Sequence, residues 1–154
     1  MWRSGGVNCG LNDWERCLRL FQSGTLKQTQ VVYFGKPSQT LKDFGLSSKR
    51  IGVVAGKLHK FQRDHSEITI PILKVLSDRL NAPEFILSSA TEPNSVVVVP
   101  IVLTDGRIFV VPIRKDVLLN SGETINMTTS IYFKDDPAWL TKERNNARVL
   151  YERG

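Results

Sequence analysis

The sequence Ile-Asn-Met-Thr-Thr-Ser-Ile-Tyr-Phe-Lys occupies residues 125–134 and alternates between two sets of side chains. Because successive side chains leave a strand on opposite faces, this period of two predicts a half-buried antiparallel strand. The face directed to the core would carry Ile125, Met127, Thr129, Ile131 and Phe133. The opposite face would carry Asn126, Thr128, Ser130, Tyr132 and Lys134. Its hydroxyl, amide, phenol and ammonium groups make it a candidate for chemistry, although a threonine-rich row is equally typical of an ordinary solvated face.

Outward from this stretch, the chain predicts helices first and a meander of strands after them. Apolar residues at spacings of three and four predict a short amphipathic helix near residues 11–21 and helices over residues 55–66 and 66–80. Strands are predicted at residues 31–34, 51–54, 84–87, 95–103, 108–114 and 148–152. Asp105-Gly106 is a hairpin signal, and Pro112 indicates a sheet edge or a bulge.

This order of elements predicts an α+β domain with a small, twisted antiparallel sheet of about four strands, packed against the N-terminal helices. The meander of strands near the C-terminus would form that sheet. We expect residues 1–30 to be an N-terminal extension that carries the short amphipathic helix, and residues 31–154 to be the functional domain.

The composition is that of a globular protein with a cationic bias. Lysine and arginine outnumber aspartate and glutamate by 21 to 15, which gives a net charge of +6 and favours polyanionic partners without choosing among them. With only Cys9, Cys17, His59 and His65 available, the sequence predicts neither a disulfide scaffold nor a structural zinc site. No apolar run approaches ~20 residues and no signal peptide is recognisable, so we expect no membrane association.

His65 lies at the predicted end of the basic helix over residues 55–66. The helix dipole favours an imidazolium at that position, and histidine is suited to proton transfer near neutral pH. The same pattern is also typical of a basic solvated helix that ends in an incidental histidine. His59 is flanked by Leu58 and Phe61, which places it beside the packed side of the helix, so we leave it out of the candidate site.

Several short motifs follow one another in an order that resembles a known family. They are Tyr33-Phe34-Gly35-Lys36-Pro37, the pair Lys57 and His65, Asn81-Ala82-Pro83, Ser88-Ser89, Ile108-Phe109-Val110, Ser130-Ile131-Tyr132-Phe133-Lys134 and Val149-Leu150-Tyr151. The series resembles the C-terminal toxin-like domains of phage head-morphogenesis proteins of the MuF type. Those domains are assigned to the barnase, EndoU, colicin and RelE (BECR) superfamily of ribonucleases.

The resemblance implies a metal-independent endoribonuclease toxin domain that needs no cofactor and cleaves RNA, with tRNA as one expected substrate, by general acid-base transesterification. His65 would act as acid or base, Lys57 would meet the scissile phosphate, and Ser130 and Tyr132 would donate hydrogen bonds to it. Four cations would bind the substrate: Lys60, Arg107, Arg114 and Lys134.

The resemblance also implies an immunity protein or antitoxin as partner. It implies a cytoplasmic location, or delivery into a target-cell cytoplasm as part of a larger phage or secreted protein. The alternative is a non-catalytic RNA-binding or protein-docking module of a phage protein. The two hypotheses differ in one geometric respect: only the enzyme requires His65, Lys57, Ser130 and Tyr132 to converge on one cleft.

Overall fold

The architecture rests on one sheet with helices on both faces, and it is described by a computed structural model over residues 14–154. Within those residues the helices are α1 (Trp14–Gln22), α2 (Gln39–Asp43), α3 (Ala55–Asp64), α4 (Ile70–Asn81) and α5 (Ala138–Asn145). The strands are β1 (Val31–Gly35), β2 (Ile51–Val54), β3 (Phe85–Ser88), β4 (Ser95–Val102), β5 (Ile108–Leu118), β6 (Thr124–Thr128), β7 (Tyr132–Lys134) and β8 (Val149–Glu152). The predicted amphipathic, 55–66 and 66–80 helices are therefore confirmed as α1, α3 and α4.

The eight strands formed by residues 14–154 join one mixed sheet in the order β1-β2-β6-β5-β4-β3-β8, and β7 also pairs with β5. Strand β2 runs parallel to β6, whereas the other pairs are antiparallel. The prediction of a small antiparallel sheet of about four strands, as expected for a BECR-like ribonuclease fold, is therefore wrong. The short strands β1, β2, β3 and β8 were predicted one by one, but no local signal showed that they extend the meander.

Alternate residues of the sheet supply two apolar cores. On the first face Phe109, Val111 and Ile113 pack in a core that also contains residues of α1 and α4. On the second face Val99 and Val110 pack with Leu140 of α5. The sheet is thus covered on both sides, and not only by the N-terminal helices as the sequence suggested.

Helix α1 belongs to the first core. The Trp14 ring stacks on Phe34 with 4.2 Å between centroids, and its Nε1 donates a hydrogen bond to the Leu73 carbonyl at 2.8 Å. Residues 1–13, including Cys9, lie outside the described part of the chain. A boundary between extension and domain at residue 30 stays a prediction.

The stretch over residues 125–134 is two strands rather than one. Ile113 is opposite Thr128 and Val110 is opposite Tyr132, so three residues, 129–131, face only two residues of β5. This extra residue is a β-bulge. The Thr129 amide donates to the Pro112 carbonyl, and the nitrogen of Pro112, which points to the same side of the strand, has no hydrogen to give. The ladder of backbone hydrogen bonds along this side of β5 is therefore interrupted at Pro112, which has no N–H to donate.

The bulge corrects two predictions from this stretch. Because β5 has strands on both sides, Pro112 is not at an edge, and the bulge is the alternative that holds. The polar row is not one solvated face either, since Asn126 and Thr128 are fully buried while Tyr132 and Lys134 are half-buried. No helix formed by the described residues is long and apolar enough to cross a membrane.

Candidate functional site

A cleft of about 280 Å³ opens on the second face of the sheet, beside α5. Its apolar lining comes from the sheet, through Leu87, Val97 and Pro112. Its polar lining comes from the end of β3 and the loop after it, from the start of β4, from the bulge with β7, and from α5. The polar side chains are those of Ser88, Ser89, Thr91, Glu92, Ser95, Thr129, Tyr132, Lys134 and Glu143.

The bulge decides which side chains of the 125–134 stretch reach this cleft. Thr129, Tyr132 and Lys134 line it, whereas Ile131 is buried in the core of the first face. Tyr132 and Lys134 share a face because they are two residues apart in β7. Ser130 is not among the lining residues, and Thr129 takes the place that simple alternation assigned to Ser130.

Of the four predicted catalytic residues, only Tyr132 lines the cleft, and His65 approaches Tyr132 without being a lining residue itself. The His65 ring at the end of α3 lies 6.2 Å from the Tyr132 ring, measured between centroids. Burial, and secondarily the charge of Glu143, raises the pKa of the Tyr132 phenol above its usual range. The phenol therefore stays protonated at neutral pH and can donate a hydrogen bond.

Lys134 lies beside the Tyr132 ring. The Lys134 Nζ lies 5.6 Å from the Tyr132 ring centroid and 6.0 Å from the Trp139 ring centroid. Aromatic faces attract an ammonium at such distances, so the Lys134 charge is held at the cleft. The lysine predicted as a substrate contact thus stands beside the predicted hydrogen-bond donor.

Glu143 is the cleft residue that the sequence analysis missed. Its carboxylate accepts from the Arg148 guanidinium at 3.2 Å, and only 15% of its side chain is exposed. Trp139 and Glu143 are four residues apart on α5, so one helix face presents both to the cleft. That spacing was available in the sequence, but nothing local indicated that α5 covers the second face.

The helix α3 separates two of the predicted catalytic residues. Lys57 is exposed in its first turn, whereas His65 follows its last turn. Eight residues of helix correspond to roughly 12 Å along the axis. Lys57 is not a lining residue of the cleft, and the exposed Lys60 forms an ion pair with Asp64 at 2.8 Å.

The two predicted arginine contacts lie in different surroundings. Arg107, in the turn between β4 and β5, pairs with Asp105 at 2.9 Å and lies 5.1 Å from the Phe133 ring centroid. Arg114 is exposed on β5 and is directly opposite Ser95, which lines the cleft. Neither arginine lines the cleft, although Arg114 is paired with a residue that does.

His65 has one acidic neighbour of its own. Its Nδ1 lies 3.8 Å from the Glu67 carboxylate, and 39% of each side chain is exposed. A carboxylate at this position can orient an imidazole, and the exposure leaves the ring accessible to a substrate. Among residues 14–154 no group of three or more His, Cys, Asp or Glu side chains is arranged to hold a metal ion.

Comparison with known families gives one assignment. Residues 57–153 match the family model of the phage MuF-C-terminal domain. The chain belongs to this family. Curated proteins gave no significant match, and neither did solved structures.

The match places the candidate site within the phage MuF-C-terminal domain. It begins at Lys57 and includes His65, the lining residues of the cleft and the ion pair between Glu143 and Arg148. Helices α1 and α2 and strands β1 and β2 precede it, although all of them belong to the same sheet or its first core.

Proposed function

We propose that this phage MuF-C-terminal domain is a metal-independent endoribonuclease whose active site is the cleft beside α5. The observation that carries the proposal is the approach of His65 to Tyr132, at 6.2 Å between ring centroids. Tyr132 lines the cleft together with Lys134 and Glu143, and His65 lies beside these lining residues. An imidazole can serve as the base, and a neutral phenol and an ammonium can stabilise the charge on the phosphoryl oxygens during cleavage of a phosphodiester. The resemblance of the motif series to MuF-type toxin-like domains supports the choice of RNA as substrate, because ribonuclease activity is expected of such domains.

In the proposed reaction the His65 imidazole takes the proton of the RNA 2′-hydroxyl. The 2′-oxygen then forms a bond to phosphorus, the bond from phosphorus to the 5′-oxygen breaks, and the departing oxygen takes a proton from water. The products are a 2′,3′-cyclic phosphate and a 5′-hydroxyl. Lys134 and the Tyr132 phenol would stabilise the charge that develops on the phosphoryl oxygens, which is commonly the largest contribution to such catalysis.

The direct test is cleavage of total RNA and purified tRNA by the protein in the presence of a chelator. His65→Ala should lower the cleavage rate about 10²- to 10⁴-fold, the range that a general acid or base contributes. His59→Ala is the matched control, because the His59 ring stacks on Phe21 at 4.2 Å between centroids, whereas the His65 ring approaches Tyr132. No cleavage by the unmodified protein, or equal losses in both variants, would contradict the proposal.

Substitutions of Lys57 and Ser130 test whether either residue contributes to RNA binding or to the rate of cleavage. Lys57→Ala is expected to weaken RNA binding more than it lowers the rate of cleavage in the bound complex, because Lys57 lies at the other end of α3 from His65. Ser130→Ala is expected to change both quantities little, since Ser130 is not a lining residue. Single-turnover rates at saturating protein separate the two effects.

As a toxin domain of a phage protein, the active protein should inhibit growth when it is expressed in bacteria without its immunity protein or antitoxin. His65→Ala should relieve that inhibition while the protein accumulates to the same level. Growth inhibition that persists in the folded His65→Ala variant would separate toxicity from cleavage.

The second candidate is the non-catalytic RNA-binding or protein-docking module. The distance between Lys57 and His65 favours it, because a scattered basic surface suits binding better than catalysis. This module would bind RNA without generating cyclic phosphate ends. End-group analysis of RNA after prolonged incubation therefore distinguishes it from the enzyme.

A further inference from the structure

A second cavity, of about 480 Å³, lies where β6 begins and is separate from the cleft. Three cations line it, Lys36, Lys49 and Arg50, together with one carboxylate, Glu123. The two cavities share no lining residue. The lining of this second cavity is therefore net positive, and no role has been assigned to it.

Arg50 is held in a fixed position in this cavity. Its Nη2 forms an ion pair with Oε2 of Glu123, and its Cζ lies 3.7 Å from the centroid of the Tyr33 ring. The Tyr33 hydroxyl donates to the other carboxylate oxygen of Glu123. Both oxygens of Glu123 are thus engaged, whereas a guanidinium has five N–H donors and can serve a second oxyanion.

The loop that carries Lys49 and Arg50 is held by a fully buried side chain. The Asn126 Nδ2 donates to the carbonyls of Ser47 and Lys49, at 3.1 and 2.7 Å, and its Oδ1 accepts from the Ser47 hydroxyl at 3.2 Å. The Asn126 backbone amide donates to the Arg50 carbonyl at 2.9 Å. One buried amide therefore fixes the loop over residues 47–50 and the cations on it.

We propose that this cavity binds a phosphate group. A planar guanidinium with a fixed orientation and two ammonium groups are the donors that a tetrahedral oxyanion requires. The preorganisation by Asn126, Tyr33 and Glu123 lowers the entropic cost of binding, because the loop and the guanidinium are already ordered. The proposal goes beyond RNA cleavage and does not rest on it, since the site lies outside the cleft.

The test is a titration of the full chain followed by NMR, first with inorganic phosphate and then with a single-stranded DNA oligonucleotide. DNA lacks the 2′-hydroxyl, so the proposed cleavage cannot interfere. The amide signals of Lys49 and Arg50 should shift. Lys49→Glu should weaken binding at least ~10-fold, which corresponds to about 1.4 kcal/mol.

Lys74→Glu is the matched control, because Lys74 is exposed on α4, lines neither cavity and undergoes the same change in charge. It should alter binding less than about twofold. Shifts with both ligands, with competition between them, would identify a nucleic-acid backbone as the source of the phosphate. Shifts with inorganic phosphate alone would identify a small phosphorylated molecule, and either result supports the site. No shift with either ligand, or equal losses in the two variants, would overturn it whatever the RNA cleavage assay shows.

Discussion

At the scale of single residues, Asn126 and Thr128 show how two buried polar side chains on one strand differ. Both are fully buried. The side chain of Asn126 makes three hydrogen bonds to the loop over residues 47–50. The hydroxyl of Thr128 is buried without a hydrogen-bond partner among the described residues. Their energetic contributions should therefore have opposite signs.

Asn126→Ala should lower the free energy of unfolding by about 1–3 kcal/mol, because it removes part-buried hydrogen bonds to the carbonyls of Ser47 and Lys49. Urea denaturation measures this change. An unchanged midpoint would mean that the loop does not depend on Asn126.

Thr128→Val should leave stability unchanged or raise it by about 1 kcal/mol. The substitution keeps the shape of the side chain and removes a hydroxyl that is desolvated without compensation. The same denaturation experiment applies, and a loss above about 1 kcal/mol would reveal a hydrogen bond that the structure does not contain.

Tyr33 and Tyr132 should make the free energy of unfolding depend on pH in the alkaline range. Burial is the main cause that raises the pKa of Tyr33 and of Tyr132, and the neighbouring carboxylates Glu123 and Glu143 add to it. The unfolded chain loses these phenolic protons near pH 10, whereas the folded chain retains them to higher pH. The free energy of unfolding should therefore be unaffected below about pH 9 and should fall as the pH rises above about 10.

Denaturation midpoints between pH 8 and 11 test this dependence, with Tyr132→Phe and Tyr33→Phe as variants. Each phenylalanine should flatten part of the alkaline decline. Glu143→Gln should bring the phenolate absorbance transition of Tyr132 to lower pH without returning it to the usual value, since burial is the larger cause. If the free energy of unfolding declines identically in all variants, groups other than these tyrosines cause the decline.

At the scale of elements, the bulge between β6 and β7 sets the composition of the cleft. Ser130 is the extra residue of the bulge. If Ser130 were removed, the pairing with β5 would run without interruption: Thr129 would stay opposite Pro112, Ile131 opposite Val111 and Tyr132 opposite Val110. Each of these pairs would keep its present face of the sheet. The bulge thus accommodates Pro112 at the cost of one unpaired residue.

Deletion of Ser130 should leave the protein folded, with a change in melting temperature of about 5 °C or less. Deletion of Met127, in the middle of β6, should abolish cooperative unfolding, because it reverses the face of every residue on one side of the deletion. Circular dichroism during heating distinguishes the two. Equal damage in both variants would show that the bulge is required for the fold.

The elements also show what sequence patterns could and could not predict. Thr69 caps α4 by accepting from the Ile72 amide, and Pro71 lies in its first turn. Both are local signals of a helix start, which is why the sequence could predict this helix. The interruption after Thr128 depends on a proline in another strand, so the alternation of residues 125–134 gave no sign of it. For the same reason the sequence indicated Ser130 for the site, whereas Thr129 lines the cleft.

At the scale of the whole molecule, the first core joins segments that are far apart in the sequence. Trp14, Leu18 and Phe21 of α1 are buried with Leu73 and Leu76 of α4. Periodicity predicted α1 correctly, but an amphipathic pattern does not say which surface covers it. The sheet was predicted too small for the same reason, since strand order depends on contacts between distant segments. His65 and Tyr132 come together through such contacts. Local patterns made each a candidate, but only the family resemblance indicated that they belong to one site.

A chain of residues 31–154 should be less stable than the full chain by several kcal/mol. Removal of α1 exposes Phe34 and leaves the Leu73 carbonyl without the Trp14 donor. Urea denaturation of both chains measures the difference. Equal stability would support residue 30 as the domain boundary.

The parallel pair of β2 and β6 has a consequence for synthesis on the ribosome. Ile51 pairs with Asn126, so roughly 75 residues (126 minus 51) must be translated before β2 obtains this neighbour. At ~5–20 residues per second this takes about 4 to 15 s. During that interval the apolar strand has only β1 beside it, and its other edge can pair with any extended chain nearby. We therefore expect the nascent chain to be most prone to aggregation after β2 has emerged and before β6 has been made.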